Sequence, residues 1–121
     1  MKNPRPVYLD LLRIRQPLPA LISIAHRLSG VMLFLAIPFV LNAWQASLAS
    51  ADSFSALQDS LFLKLALLFL GMAYAYHFFA GLRFLLLDLH WGLSLEAARL
   101  SSWAVLAASL ACAVLLGIWL C

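Results

Sequence analysis

Three long stretches of this sequence contain no charged side chain: Leu28 to Ala51, Leu65 to Leu82 and Leu100 to Cys121, of 24, 18 and 22 residues. About 20 helical residues, each rising about 1.5 Å, cross the roughly 30 Å apolar core of a lipid bilayer. The chain as a whole is 65% hydrophobic and 11% charged, whereas an average soluble domain is about 45–50% apolar and about 25% charged. This pattern predicts an all-α membrane protein with three transmembrane helices, and it excludes soluble enzymes and nucleic-acid-binding proteins.

The expected organisation is one transmembrane domain covering the whole chain. Pro38 lies inside the first predicted helix, where it is expected to introduce a kink. Small and polar residues predict surface connections over Ser47–Ser60 and Asp88–Ser101. The expected parts of the domain, 1–121, are an N-terminal segment at 1–19 and helices at about 20–46, 61–87 and 101–121.

The basic residues predict the direction of the helices. Only Lys64 lies at the opposite end of the helices from the other seven, which are Lys2, Arg5, Arg13, Arg15, Arg27, Arg83 and Arg99. Because cytoplasmic loops are enriched in Lys and Arg, we expect a cytoplasmic N-terminus and a periplasmic C-terminus. The N-terminal segment has the features of neither a signal peptide nor a mitochondrial transit peptide, so we expect a bacterial inner membrane.

His77 is an ionisable residue within the second uncharged stretch. It lies about 24 Å along the helix from Leu61 and about 9 Å from Arg83, which is expected to snorkel to the headgroups. Such an imidazole is a haem or metal ligand, a proton-relay group, or a neutral hydrogen-bonding group between helices. Gly81, one turn away on the same face, offers bare backbone to a flat macrocycle or equally to a neighbouring helix. The spacing alone leaves these alternatives open.

A second polar cluster lies in the first turns of the first helix. Ser23 and Arg27 are four residues apart on one face, with His26 on the adjoining face and Gly30 leaving space beside them. A hydroxyl and a fixed cation one turn apart form a plausible site for a carbonyl or carboxylate oxygen. The alternative is that Arg27 snorkels and that Ser23 bonds its own helix.

His26 and His77 are not expected to bind the same iron. Two axial nitrogens must face each other across the metal, and we expect His77 to lie about 9 Å deeper than His26. His90 lies outside the predicted span and is even less suited to bind the same iron as His77. If His77 holds haem, a second chain must therefore supply the opposite ligand.

Three blocks of sequence together resemble the cytochrome b subunits of succinate dehydrogenases, and the resemblance covers nearly the whole chain. The combination of the second and third blocks is specific, whereas either alone is weak. The blocks are Arg5-Pro6-Val7-Tyr8-Leu9-Asp10-Leu11, Ser23-Ile24-Ala25-His26-Arg27-Leu28-Ser29-Gly30, and His77-Phe78-Phe79-Ala80-Gly81-Leu82-Arg83 with Asp88 beyond.

The resemblance implies a subunit that is not catalytic by itself. It implies a haem b shared with a second small membrane anchor subunit, a flavoprotein and an iron–sulfur protein on the cytoplasmic face, surrounding membrane lipid, and ubiquinone or menaquinone as the substrate. Transferred residue by residue, His77 is the axial ligand of the haem iron and Gly81 lines the haem face. Ser23 and Arg27 contact quinone, and His26 and Arg27 lie near the haem propionates.

The chain departs from the family pattern at two positions, and two alternative functions remain. Phe84 stands where the family often has a second histidine, and His90 where it often has glycine. One alternative function is a haem-free structural anchor for a soluble dehydrogenase. The other is the anchor of a fumarate reductase, which has the same architecture and runs in the reverse direction.

Overall fold

A computed structural model of the chain describes residues 14–120, which form four helices and no strand. The first, third and fourth are long and apolar enough to cross a membrane, which confirms the all-helical, three-span prediction. The N-terminal motif at 5–11 and most of the expected segment 1–19 lie outside the described residues. The helices are α1 (Leu18–Ser47), α2 (Ala51–Asp59), α3 (Leu61–Asp88) and α4 (Leu95–Leu120).

Helix α1 begins where proline permits a helix to begin. Pro17 is in an extended conformation at the N-cap, and Pro19 occupies the first turn, where the missing N–H would have no intrahelical partner. The helix continues through Pro38 to Ser47 without interruption.

The connection predicted over Ser47–Ser60 contains a helix that the composition did not predict. The Ser50 hydroxyl accepts a hydrogen bond from the Ser53 backbone N–H, and Asp52 lies in the first turn of α2. A serine cap and an acidic residue at the N-terminus both stabilise a helix. The connection expected over Ser47–Ser60 therefore includes a short helix.

Helix α4 begins at Leu95, six residues before the expected start at 101. The Ser94 hydroxyl accepts a hydrogen bond from the Ala97 backbone N–H, and Glu96 lies in the first turn. A capped first turn of a helix can contain charged residues. The expected start at 101 was too late because it was based on the first residues of the uncharged stretch. The true connection is 89–94, in which His90 and Gly92 have positive φ angles of 64° and 74°.

Helix α3 lies at the centre of the bundle and packs against both α1 and α4. A small core of Ile22, Ala80 and Val105 joins the three long helices. Many large apolar side chains instead face outwards, which suits contact with lipid or with other membrane subunits.

Candidate functional site: a histidine pair between two membrane helices

The imidazole rings of His26 and His77 stack on each other between α1 and α3. Their centroids are 4.2 Å apart and their planes differ by 12°. The expected difference of about 9 Å in depth was therefore wrong. The two residues lie about 12 Å and about 16 Å from the nearby ends of their helices, because α1 extends two turns before His26.

The stacked arrangement still leaves the pair unable to hold one iron between them. Two axial imidazoles must point a nitrogen atom from each side at the metal, whereas these two rings meet face to face at 4.2 Å. The face of His77 is thus covered by His26, and the edges of its ring remain for hydrogen bonds or a ligand.

One edge of the His77 ring is held by α1. Its Nδ1 lies 3.1 Å from the His26 carbonyl oxygen and 3.1 Å from the Ser29 hydroxyl. Because a carbonyl oxygen only accepts, Nδ1 must carry the proton and donate. In a neutral imidazole the lone pair is then on Nε2, at the opposite edge.

Two glycines lie next to the histidine pair, and they differ in how tightly they are enclosed. A Cβ atom at Gly30 would come within 2.9 Å of His77 Cε1, so the His77 ring fills the space expected beside Gly30. A Cβ at Gly81 would make an ordinary 3.5 Å contact with His26 Nε2. The bare backbone of Gly81 therefore faces the His26 imidazole.

Phe84 completes the enclosure of His26. Its ring lies 5.2 Å from the His26 ring at an angle of 52°, in the range of a favourable tilted aromatic contact. The Arg83 guanidinium carbon lies 5.3 Å from the Phe84 ring centroid. At the position where the family often has histidine, this chain thus places an apolar ring against both His26 and Arg83.

Arg83 does not snorkel, so that expectation was wrong. Its side chain is only 5% exposed, and it bonds to α4: Nε donates to the Ser101 hydroxyl at 2.9 Å, and one terminal nitrogen donates to the Ala98 carbonyl at 3.3 Å. These bonds, rather than an ion pair with Asp88, account for the buried cation. Arg83 therefore joins α3 to α4.

Ser23 and Arg27 lie on α1, six and two residues before Ser29. Ser23 is half-buried and Arg27 is exposed. The hydrogen bonds between α1 and α3 do not pass through these two residues but through Ser29, the His26 carbonyl and Tyr76, whose hydroxyl donates to the Ile22 carbonyl at 2.9 Å. The exposed guanidinium remains available to a ligand or to another subunit.

Sequence reasoning missed Ser29, Tyr76 and Ser101 as contributors to this region. Tyr76 precedes His77 directly, and Ser29 lies within the second motif, so proximity to an intramembrane histidine was a usable signal for both. No pattern signalled Ser101, because its pairing with Arg83 depends on how α3 and α4 pack.

The residues around His77 fit a haem iron. Metal-ligating histidines donate the ring N–H that does not face the metal to a carbonyl or carboxylate, and Nδ1 of His77 has such a carbonyl partner in His26. Residues 14–120 contain no group of three or more His, Cys, Asp and Glu side chains suited to a metal ion. An iron held by this part of the chain would therefore not sit in a cluster of such side chains, and His77 Nε2 is the nitrogen left without a hydrogen-bond partner by the bond at Nδ1.

Fold and site together define a membrane protein with three candidate spans and a histidine pair between two of them. Over residues 1–116 the sequence matches the family model described as succinate dehydrogenase/fumarate reductase transmembrane subunit. The chain belongs to this family.

Curated relatives agree with that assignment. The chain is 38% identical to the succinate dehydrogenase cytochrome b556 subunit of Coxiella burnetii, over 99% of both chains. It is 31% identical to the subunit of the same name from Rickettsia bellii, over 94% of this chain and 91% of the relative, and 30% identical to that of Rickettsia felis, with the same coverage. The chain is a multi-pass membrane protein of the cytochrome b type.

Proposed function

We propose that this chain is the haem b- and quinone-binding anchor of a succinate:quinone oxidoreductase, with His77 as one axial ligand of the haem iron. The observation that carries the proposal is the orientation of the His77 ring. Its Nδ1 is bonded to the His26 carbonyl, which leaves the Nε2 lone pair free at the opposite edge. Bound haem supplies a one-electron carrier, and the chain itself is not catalytic.

The neighbours of His77 take separate parts in this proposal. Gly81 lines the haem face, and His26 and Arg27 lie in the region of the propionates, where the guanidinium supplies a permanent positive charge. Since His26 stacks on His77 rather than opposing it, a second ligand to the haem iron would come from a second small membrane anchor subunit.

The quinone contacts in this proposal are Ser23 and Arg27. A hydroxyl donates a hydrogen bond to a quinone carbonyl oxygen, and a guanidinium stabilises the negative charge that develops as the quinone accepts electrons. The exposure of Arg27 supports a contact outside this bundle. Ubiquinone and menaquinone both carry the carbonyl groups that this pair would recognise.

The proposed assembly follows from the distribution of basic residues. With seven basic residues towards one side, the N-terminus faces the cytoplasm and the C-terminus the periplasm of a bacterial inner membrane. The flavoprotein and iron–sulfur subunits then dock on the cytoplasmic side, near the helix ends that lie next to Ser23 and Arg27. A cytoplasm-dependent reporter fused after Cys121 should be inactive, and an active reporter would reverse this topology.

The curated relatives favour succinate oxidation over fumarate reduction as the physiological direction. The relatives from Coxiella and from the Rickettsia species are all named as succinate dehydrogenase subunits. The haem-free anchor is disfavoured by the names of the same relatives, which are cytochrome b556 subunits.

The haem assignment is tested by the reduced-minus-oxidised absorbance spectrum of the purified complex. His77→Ala should abolish or shift the b-type absorbance. His90→Asn is the matched control, because His90 lies outside the helices at a positive φ angle that asparagine tolerates. An assembled His77→Ala complex with the spectrum of the control would contradict the assignment.

The quinone assignment is tested by comparing two electron acceptors. Ser23→Ala and Arg27→Leu should slow succinate-dependent quinone reduction but leave the reduction of a soluble dye unchanged, since the dye accepts electrons before the membrane subunits. Normal quinone reduction by both variants in an assembled complex would place the quinone site elsewhere.

A further inference from the structure

Ser29 is a buried hydroxyl at the contact between α1 and α3. It is 7% exposed, and its Oγ donates to the His26 carbonyl at 2.8 Å. The same Oγ lies 3.1 Å from His77 Nδ1. Because its own proton is directed to the carbonyl, the Ser29 oxygen is oriented to accept the Nδ1 proton.

The His77 N–H is therefore shared between two acceptors within one turn of α1. The carbonyl of His26 and the hydroxyl of Ser29 lie at equal distances of 3.1 Å from Nδ1. The ring is also confined by Gly30 at Cε1 and by the stacked His26 imidazole. These contacts fix both the tautomer and the rotation of the His77 ring.

We propose that Ser29 is a positioning residue for the haem ligand His77. This inference rests on the proposed haem function and adds a role for a residue that makes no contact with iron. An acceptor at Nδ1 increases the electron donation from Nε2 to a metal and fixes the direction in which Nε2 points. A stronger donor stabilises ferric haem relative to ferrous haem, so Ser29 lowers the haem midpoint potential.

A second buried serine shows what Ser29 would do if its role were only local. Ser109 is 6% exposed, and its hydroxyl donates to the Val105 carbonyl of its own helix at 2.6 Å. Such bonds back to the helix are common for serine and need no partner on another helix. Ser29 makes a bond of this kind as well, but it also reaches His77 on α3.

The test compares Ser29→Ala with Ser29→Thr and with the control Ser109→Ala, each in the complete complex. The measurements are the haem midpoint potential and the rate at which haem is lost to excess apomyoglobin. Loss of an outer partner of a metal ligand typically weakens binding by about 10–100-fold, so Ser29→Ala should lose haem about tenfold faster. If the substitution weakens the binding of ferric haem tenfold and leaves the binding of ferrous haem unchanged, the midpoint potential rises by about 59 mV.

The two remaining variants are expected to behave like the unsubstituted complex. Ser29→Thr keeps a hydroxyl that can bond the preceding turn, and Ser109→Ala removes a buried hydroxyl that does not touch histidine. Should Ser29→Ala assemble poorly, Ser29→Cys keeps the volume and offers only a weak acceptor, so it should shift the potential in the same direction.

Two results would overturn the inference. One is an unchanged potential and rate of haem loss in Ser29→Ala, or in Ser29→Cys where that variant is used. The other is an equal change in Ser109→Ala, which would reduce the role of Ser29 to general packing. The His77→Ala spectrum separates this failure from that of the proposed function. If the His77→Ala complex retains its haem, His77 is not the ligand and the proposed function fails. If the His77→Ala complex loses its haem but Ser29→Ala leaves haem binding unchanged, only the role of Ser29 is contradicted.

Discussion

The half of the bundle that contains the two histidines is held together differently from the half that contains Gly71. The histidine half comprises residues 18–30, 73–88 and 95–108, and the Gly71 half comprises 31–47, 61–72 and 109–120. All the buried residues among the described ones lie in the histidine half, except Ser109.

Hydrogen bonds between helices are confined to the histidine half of residues 14–120. His77 and Tyr76 bond α3 to α1, and Arg83 bonds α3 to α4. Interhelical hydrogen bonds between uncharged groups in membranes contribute modest free energies, on average about 0.6 kcal/mol each, and bonds from a charged group such as the Arg83 guanidinium contribute more. Their main effect here is to fix the positions of side chains.

The Gly71 half is apolar, and each half contains a groove. The groove of the Gly71 half measures about 440 Å³ and is lined by apolar residues such as Leu33, Leu67 and Trp119, and that of the histidine half measures about 520 Å³. A Cβ atom added at Gly71 would come closest to the flexible end of the Leu116 side chain. The described serines of this half, Ser47 and Ser109, bond within their own helices.

The difference shows which part of the chain must be structurally exact. Spanning a bilayer requires only apolar side chains in a helix, which the Gly71 half provides. A ligand-binding imidazole requires a fixed tautomer and direction, which demands partners at defined distances. The two halves should therefore respond differently to similar substitutions.

The largest effect in this comparison is expected for Arg83→Lys. Lysine keeps the charge but lacks the planar group that reaches Ser101 and Ala98 together, and hydrogen bonds to charged groups contribute about 1.5–3 kcal/mol. The purified complex should lose about this much stability, measured by thermal unfolding in detergent. Equal stability of the two complexes would return Arg83 to the snorkelling interpretation.

A somewhat smaller loss is expected for Gly30→Ala. The added Cβ would lie 2.9 Å from His77 Cε1, and the ring cannot turn away without losing its bonds at Nδ1. Overpacking costs about 1–3 kcal/mol, of which the better helix propensity of alanine returns at most about 1 kcal/mol. The haem absorbance should shift together with the stability, and a variant normal in both respects would show that the ring is free to move.

The smallest effect is expected for Gly71→Ala, although its Cβ would also approach another side chain closely. Leu116 can rotate into the groove, so we expect a change in stability within about 0.5 kcal/mol and an unchanged haem spectrum. Gly81→Ala should change the stability as little, because its Cβ would make an ordinary 3.5 Å contact with His26, whereas its haem spectrum should shift if Gly81 lines the haem face. A loss in Gly71→Ala as large as that in Gly30→Ala would remove the distinction between the halves.

Much of the fold follows from the sequence because lipid imposes a simple rule. Long uncharged stretches must be helices, since the backbone has no other way to satisfy its polar groups in the bilayer. The helix ends were harder to predict. Helix α2 and the first turns of α4 depend on serine caps at Ser50 and Ser94, which have a stronger influence than the local composition.

The candidate site was predictable in its main residue but not in its contacts. An imidazole in an apolar span is conspicuous in a sequence, and His77 was identified as a candidate for this reason. The partners of His77 depend on the relative depth of α1 and α3, and an error of about one turn in that depth hid the contacts with His26 and Ser29. The burial of Arg83 was hidden for a similar reason, because Ser101 was expected to lie at the edge of a loop.

The central claim, that Nε2 of His77 ligates haem iron, is tested most directly by replacing the side chain with a free ligand. His77→Gly removes the imidazole and leaves a space between Gly30 and His26. The complex carrying this variant should lack the normal b-type spectrum, and added imidazole should restore it. A normal spectrum before imidazole is added would contradict the claim, because the iron would then have its ligand from another residue.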